Sequence, residues 1–329
     1  MRVAKSWRTP LGLAAKAAVS AAVIYAVVGK VDVAGVRGSL ATASLPGLGL
    51  AFAAFLAIPL LGGLRWWAVL RGLGERAGLG PATAIFSTAI VASQVLPSVA
   101  GDGLRVWLAA RRGHPVGVAV QSVVFERVFM VITLLALALA TAPLLAARTG
   151  QSGPVWLFAA LLATGLAGLL VLTTADRLPA PPIGLRPWQA LVRAAAPARA
   201  MMWSRWGVHA TATSLLSNLN FVLAAVLLSD ALAVPVSALD VLAIMPAVTL
   251  ATTLPISLGG WGVREGMLVF LLGRVGVPAW EALTLSLLFG AMGLLCGVPG
   301  LLAWAMEGWS GELRANQTIG LGCSTARVD

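Results

Sequence analysis

Residues 96–105 read LPSVAGDGLR and residues 254–264 read LPISLGGWGVR. Each stretch follows an apolar run dotted with Ser and Thr. Each precedes a second apolar run that ends at a Gly-X-Pro. Pro and paired Gly interrupt helices, and Asp102, Arg105, Arg264 and Glu265 are costly to place among lipid tails. A broken, charged segment that occurs once in each half of a membrane protein is the best sequence pointer to a transport site.

The composition places the chain in a bilayer. Hydrophobic residues make up 59% and charged residues 11%, with a mean hydropathy of +0.92; soluble domains carry about 25% charged residues. The net charge of +11 does not point to nucleic acid, because the basic residues form no stripe with interleaved aromatics. They gather between the apolar segments, where the positive-inside rule puts them. Cys296 and Cys323 offer no metal spacing and no disulfide pattern, and no cofactor is expected. Arg2, Lys5 and Arg8 followed by an apolar run admit a signal-peptide reading. The run continues through Val28, which favours an uncleaved first helix.

Working outward from the two breaks gives an all-α polytopic membrane protein. Spanning helices are expected at about 11–29, 45–64, 118–146, 154–173, 207–230 and 280–305. Two Pro/Gly-broken hairpins are expected at 81–112 and 238–275, as re-entrant arms or short crossings. A basic loop fills about 176–205, its start kept from regular helix by Pro179, Pro181 and Pro182. The Lys/Arg bias puts both termini in the cytoplasm. The order helix, helix, hairpin, helix then occurs twice in opposite orientation, an inverted repeat of 11–147 and 154–306 within one membrane domain of 1–329. Residues 307–329 form a short polar tail.

Arg105 and Arg264 lie just past the two apices. Arg presents a planar fork of donors that suits phosphate, and broken helix ends add unpaired N–H groups. The pair therefore suggests a cradle for a phosphate-bearing headgroup, with Asp102 and Glu265 orienting the arginines. The alternative is internal pairing that only locks the hairpins. Glu126 and Arg127, early in the third helix, read either as cavity wall or as an interfacial pair. His209, Thr213, Ser217 and Asn220 share one helix face with Asn218 beside it, either as a polar groove or as hydrogen-bonding glue between helices. Trp66, Trp67, Trp203 and Trp206 fit an aromatic belt. No Walker loop, Gly-X-Ser-X-Gly or His-Glu-X-X-His is present, so no enzyme activity is expected.

The runs SQVLPSVAGDGLR, RRGHPVGVAVQSVVFER and LPISLGGWGVREGMLVFLLGRVGVP resemble the flippase-like membrane domain of lysylphosphatidylglycerol synthases across nearly the whole chain. Gln94 stands where that family usually has Asn, and Ala100 where it has Gly. The resemblance implies a domain that moves or handles lipids between leaflets. It carries over Pro97, Gly101, Asp102 and Arg105 at one apex, Pro255, Gly259, Gly260, Arg264 and Glu265 at the other, and Glu126 and Arg127 after the first. The synthase's aminoacylating domain has no counterpart in these residues. Expected partners are membrane lipids and a separately encoded lipid-modifying enzyme, docked on the basic loop. The rival expectations are an ion-coupled solute transporter and an enzyme of lipid or polyprenyl-phosphate metabolism.

Overall fold

The structure, a computed structural model, describes residues 38, 41–95, 98–177, 186–254, 257–304 and 306. Among them every regular element is helical: α1 Leu45–Gly72, α2 Leu79–Val95, α3 Ser98–Arg111, α4 Val116–Thr149, α5 Gly153–Thr174, α6 Arg186–Met202, α7 Arg205–Ala231, α8 Ala238–Thr253, α9 Val263–Arg274 and α10 Ala279–Leu295. Five helical stretches are long and apolar enough to cross a bilayer: Leu45–Gly72, Val116–Thr149, Gly153–Arg177, Arg205–Ala231 and Ala279–Trp304. The protein is a multi-pass membrane protein. The expected first span at 11–29 lies outside the described residues, as do Pro97 and Pro255.

Both hairpins form where the breaks stand. The first is α2 and α3, the second α8 and α9, and each arm of 12 to 17 residues is shorter than the ~20 a full helical crossing needs. Helix ends follow local chemistry. Ser44, Ser204 and Ser237 each accept a backbone N–H from the first turn of α1, α7 and α8, which satisfies a donor that otherwise has no partner. Gly150, in the left-handed region, closes α4.

α1 packs most extensively on α7, and α4 and α8 complete the centre. The core contains an edge-to-face series in which Phe289 meets Phe55 and Phe221, each at 4.8 Å between ring centroids. α5 stands at the periphery, with Phe158 its one buried residue, so its sides face lipid.

Three sequence expectations need correction. The second span does not end near residue 64; α1 continues to Gly72 and takes Arg65 and Trp66 into the interior, at 3% and 0% exposure. Trp66 is therefore no belt residue, and its indole N–H donates to Ser122 Oγ at 2.9 Å. The basic stretch of 176–205 is not a loop throughout. Pro179, Pro181 and Pro182 precede α6, where Ala195, Ala198 and Met201 recur on one buried face while Arg193 is exposed.

The two apices touch. Trp261 donates its indole N–H to Gln94 O at 3.1 Å, tying the second apex to the end of α2. Gly259 has φ +56°, and a Cβ there would lie 2.3 Å from Gln94 O. Only glycine meets both demands. Gly103 lies on the exposed side of α3 with open space around its Cβ position. Gly259→Ala is expected to destabilise by more than about 1 kcal/mol, lowering the melting temperature of the detergent-solubilised protein, while Gly103→Ala leaves it unchanged or raised.

Candidate functional site

The helix break between α2 and α3 lets the chain double back, so Asp102 and Arg105 on α3 face α4. Glu126, on the inner side of α4, is the centre of what results. Its Oε1 accepts from Arg65 Nε at 2.7 Å and from Arg65 Nη2, and its Oε2 accepts from Arg105 Nη2 at 2.9 Å. Arg105 Nη2 also donates to Asp102 Oδ1 at 2.6 Å. Arg127, half-exposed, donates to both Asp102 oxygens at 3.1 Å. Side chains of Arg65, Arg105 and Glu126 are at most 4% exposed. Arg105 further lies over the rings of Phe86 and Trp66, at 5.0 and 5.7 Å from the guanidinium carbon. Such cation–π contacts help hold a cation away from water.

At the second apex Glu265 serves two partners. Its Oε2 accepts the Gly262 N–H at 2.5 Å, which caps α9. Its Oε1 accepts from Arg264 Nη2 at 2.7 Å and from Ser286 Oγ at 3.1 Å. Arg264 lies 4.5 Å above the Trp261 ring and close over α10 at Gly290, where a Cβ would stand 2.3 Å from Nη2. Gly290 is the space into which this guanidinium folds.

Arg105 and Arg264 line one cavity of about 260 Å³. Its polar wall includes Ser93, Gln94, Asp102 and Thr252; Phe55, Ile58, Phe221, Val248 and Phe289 supply the apolar wall. Pockets for drug-sized ligands measure roughly 300–1,000 Å³, so this one lies just below the lower end of that range. Arg105 Nη1 is buried and has no hydrogen-bond partner. A donor in that position is costly unless something accepts from it.

The structure thus brings together both predicted arginines with Asp102 and Gly259. Glu126 lies behind Arg105 in the ion-pair cluster, and Arg127 reaches the site through Asp102. Glu126 and Arg127 do not form the interfacial pair weighed from the sequence. Glu265 is consumed by Arg264, Ser286 and its own helix end. The apex glycines turn towards protein: Gly259 abuts Gln94, a Cβ on Gly101 would meet Ser93 Oγ at 1.9 Å, and one on Gly260 would meet Thr252. They close the hairpins. On α7, Asn218 donates to Thr133 Oγ1 at 3.0 Å and Asn220 to Ala54 O at 2.9 Å. These residues glue helices together. His209 and Thr213 bond to carbonyls one turn back on α7.

Two participants escaped sequence reading. Arg65 lies just past the expected second span of 45–64; the apolar residues Ala68, Val69 and Leu70 after it are the signal that the helix runs on. Gln94 registered only as a departure from the family pattern. Among the described residues no group of His, Cys, Asp and Glu is arranged to hold a metal ion.

Fold and site together define a helical membrane protein with a partly open cavity lined by two broken hairpins and the helices beside them, with an arginine from each hairpin in its wall. A family model described as Lysylphosphatidylglycerol synthase TM region matches residues 13–300, and the chain belongs to that family. No curated protein matches the chain.

Removing one partner of a buried ion pair costs about 3–5 kcal/mol. Glu126→Ala strands Arg65 and Arg105 and is expected to lower the denaturation midpoint in detergent by about that free energy. Asp102→Asn, at a position with 21% side-chain exposure, is expected to cost less than half as much.

Proposed function

We propose that this protein carries a phosphate-bearing lipid between the leaflets of the bacterial inner membrane. The observation that carries this reading is Arg105, which lines a cavity shared with Arg264 and keeps a buried Nη1 without a partner. A phosphate oxygen is a suitable acceptor for that donor, and Arg–phosphate bonds are charge-assisted. The adjoining apolar wall suits the part of a lipid nearest its headgroup. Membership of a family named for the membrane region of a lipid-modifying synthase supports the same substrate class.

The helix order supports an inverted repeat. Three candidate spans, α4, α5 and α7, separate the two hairpins, so hairpins opening from the same end of their half face opposite leaflets. A headgroup held between the two apices would then be near the midplane, where such transporters bind. With the N-terminus and C-terminus in the cytoplasm, the α1–α2 turn is cytoplasmic and the α4–α5 turn is on the far side. Glu126 and Glu265 are each committed to arginine, which speaks against either serving as the proton carrier of an ion-coupled solute transporter. Arg193, exposed on α6, offers anionic lipid or a separate enzyme a contact.

Two measurements check this reading. In liposomes carrying a fluorescent phospholipid, the protein is expected to accelerate leaflet exchange. Arg105→Gln and Arg264→Gln reduce that rate at least about tenfold, the loss of one charge-assisted bond, while Arg274→Gln, exposed at the end of α9, does not. Exchange that never exceeds empty liposomes, for any phospholipid tried, contradicts the proposal. For orientation, Arg76→Cys and Ser152→Cys are placed in a Cys323→Ser background. An impermeant maleimide outside intact cells whose outer membrane has been permeabilised should label Ser152→Cys and spare Arg76→Cys; the reverse pattern inverts the topology.

A further inference from the structure

The first apex carries unbalanced charge. Arg65, Arg105 and Arg127 face two carboxylates, Asp102 and Glu126, and the described residues supply no third acid to them. One positive charge is left over. At the second apex Arg264 and Glu265 cancel. The surplus is not spread evenly. Glu126 gives one oxygen to Arg65 and the other to Arg105, and both arginines keep a buried Nη1 without a partner. The two guanidiniums also lie over the same ring, Phe86, at 5.9 and 5.0 Å, and Phe86 and Arg105 are cavity wall. Arg65 does not line the cavity; it reaches the site through Glu126.

We propose that Arg65 is a positioning residue that sets the charge of the anion site, leaving the cavity matched to a single negative charge: a phosphodiester in preference to a phosphomonoester. The inference rests on the reading of the cavity as a headgroup site. In a poorly solvated interior the energy of an added anion depends on the whole local charge, and interactions there are screened less than at a surface. By holding Oε1, Arg65 keeps Glu126 from fully neutralising Arg105. One singly charged phosphodiester then brings the cluster to neutrality. A doubly charged monoester overshoots by one unit, and that extra charge is buried without compensation.

The two partners of one ion pair therefore act with opposite signs. Arg65→Gln leaves four charged groups, Arg105 and Arg127 with Asp102 and Glu126, that cancel pair by pair, with no surplus for the ligand. Glu126→Gln raises the surplus from one charge to two. Both variants break the same buried pair, so a purely structural role moves them in the same direction.

The test is isothermal titration of the detergent-purified full chain at pH 8 with two soluble lipids. Dihexanoylphosphatidylmethanol and dihexanoylphosphatidate differ by one methyl ester and, above the second phosphate pKa of about 6, by about one charge. Wild type is expected to bind the diester more tightly. Arg65→Gln is expected to weaken both lipids about tenfold, and Glu126→Gln to tighten both and swing the preference about tenfold towards the monoester. Arg65→Lys, which keeps the charge, should keep the wild-type preference even if its melting temperature falls. If Arg65→Gln and Glu126→Gln weaken binding alike with the preference unchanged, Arg65 is structural; the inference fails and the headgroup reading stands. If wild type binds neither lipid, the headgroup reading fails and takes the inference with it.

Discussion

The carboxylate of Glu126 holds the first half of this protein together. It is on α4, yet its partners come from α1 and α3. A bare carboxylate at this depth would be intolerable, and so would either arginine alone. Each charge is stable only if the other two elements are in place. The cluster therefore fixes how far α3 folds back against α4 and how α1 extends beneath both. Trp66 and Ser122, buried beside the cluster, add a second link between α1 and α4.

The second half meets this assembly through backbone as much as through side chains. A helix end exposes carbonyls, and Gln94 O, at the end of α2, is taken up by the indole of Trp261. Gly259 has no side chain where Gln94 approaches, and Gly293 is bare where the Gln94 amide comes near. Trp261 also carries Arg264 on its face. One residue thus joins the two hairpins and holds the second arginine at the edge of the cavity that Arg105 shares. The cavity belongs to neither hairpin alone.

Much of this fold was legible because lipid makes its demands in residue types. Pro and Gly in an apolar run, next to Asp or Arg, have few stable outcomes at membrane depth, so both breaks and the arms around them stand where the sequence puts them. The site was legible in part. Arg105, Arg264 and Asp102 could be named because they sit at the breaks. Arg65 could not: hydropathy treats an arginine at the end of an apolar run as the edge of the membrane, and only tertiary packing reveals a buried partner 61 positions away. Trp66 was misjudged for the same reason, since a belt tryptophan and a core tryptophan look alike next to an arginine. α6 was obscured because its helix begins just beyond three prolines, and its buried face of Ala195, Ala198 and Met201 is too small to register as an apolar stripe. At Gly259 the opposing hairpin needs the glycine's bareness, whereas at Gly101 and Gly260 the first arm of their own hairpin does.

The central claim is that one cavity, built by both hairpins, receives a lipid headgroup. An electron cryomicroscopy structure of the protein in nanodiscs of mixed phospholipids tests it most directly. The account predicts phosphate density in the cavity, within hydrogen-bonding distance of Arg105 Nη1 and near the Arg264 guanidinium, with acyl density leading out towards the bilayer. Lipid phosphates confined to the two leaflet surfaces, with the cavity filled by water or by an acyl chain alone, would contradict it.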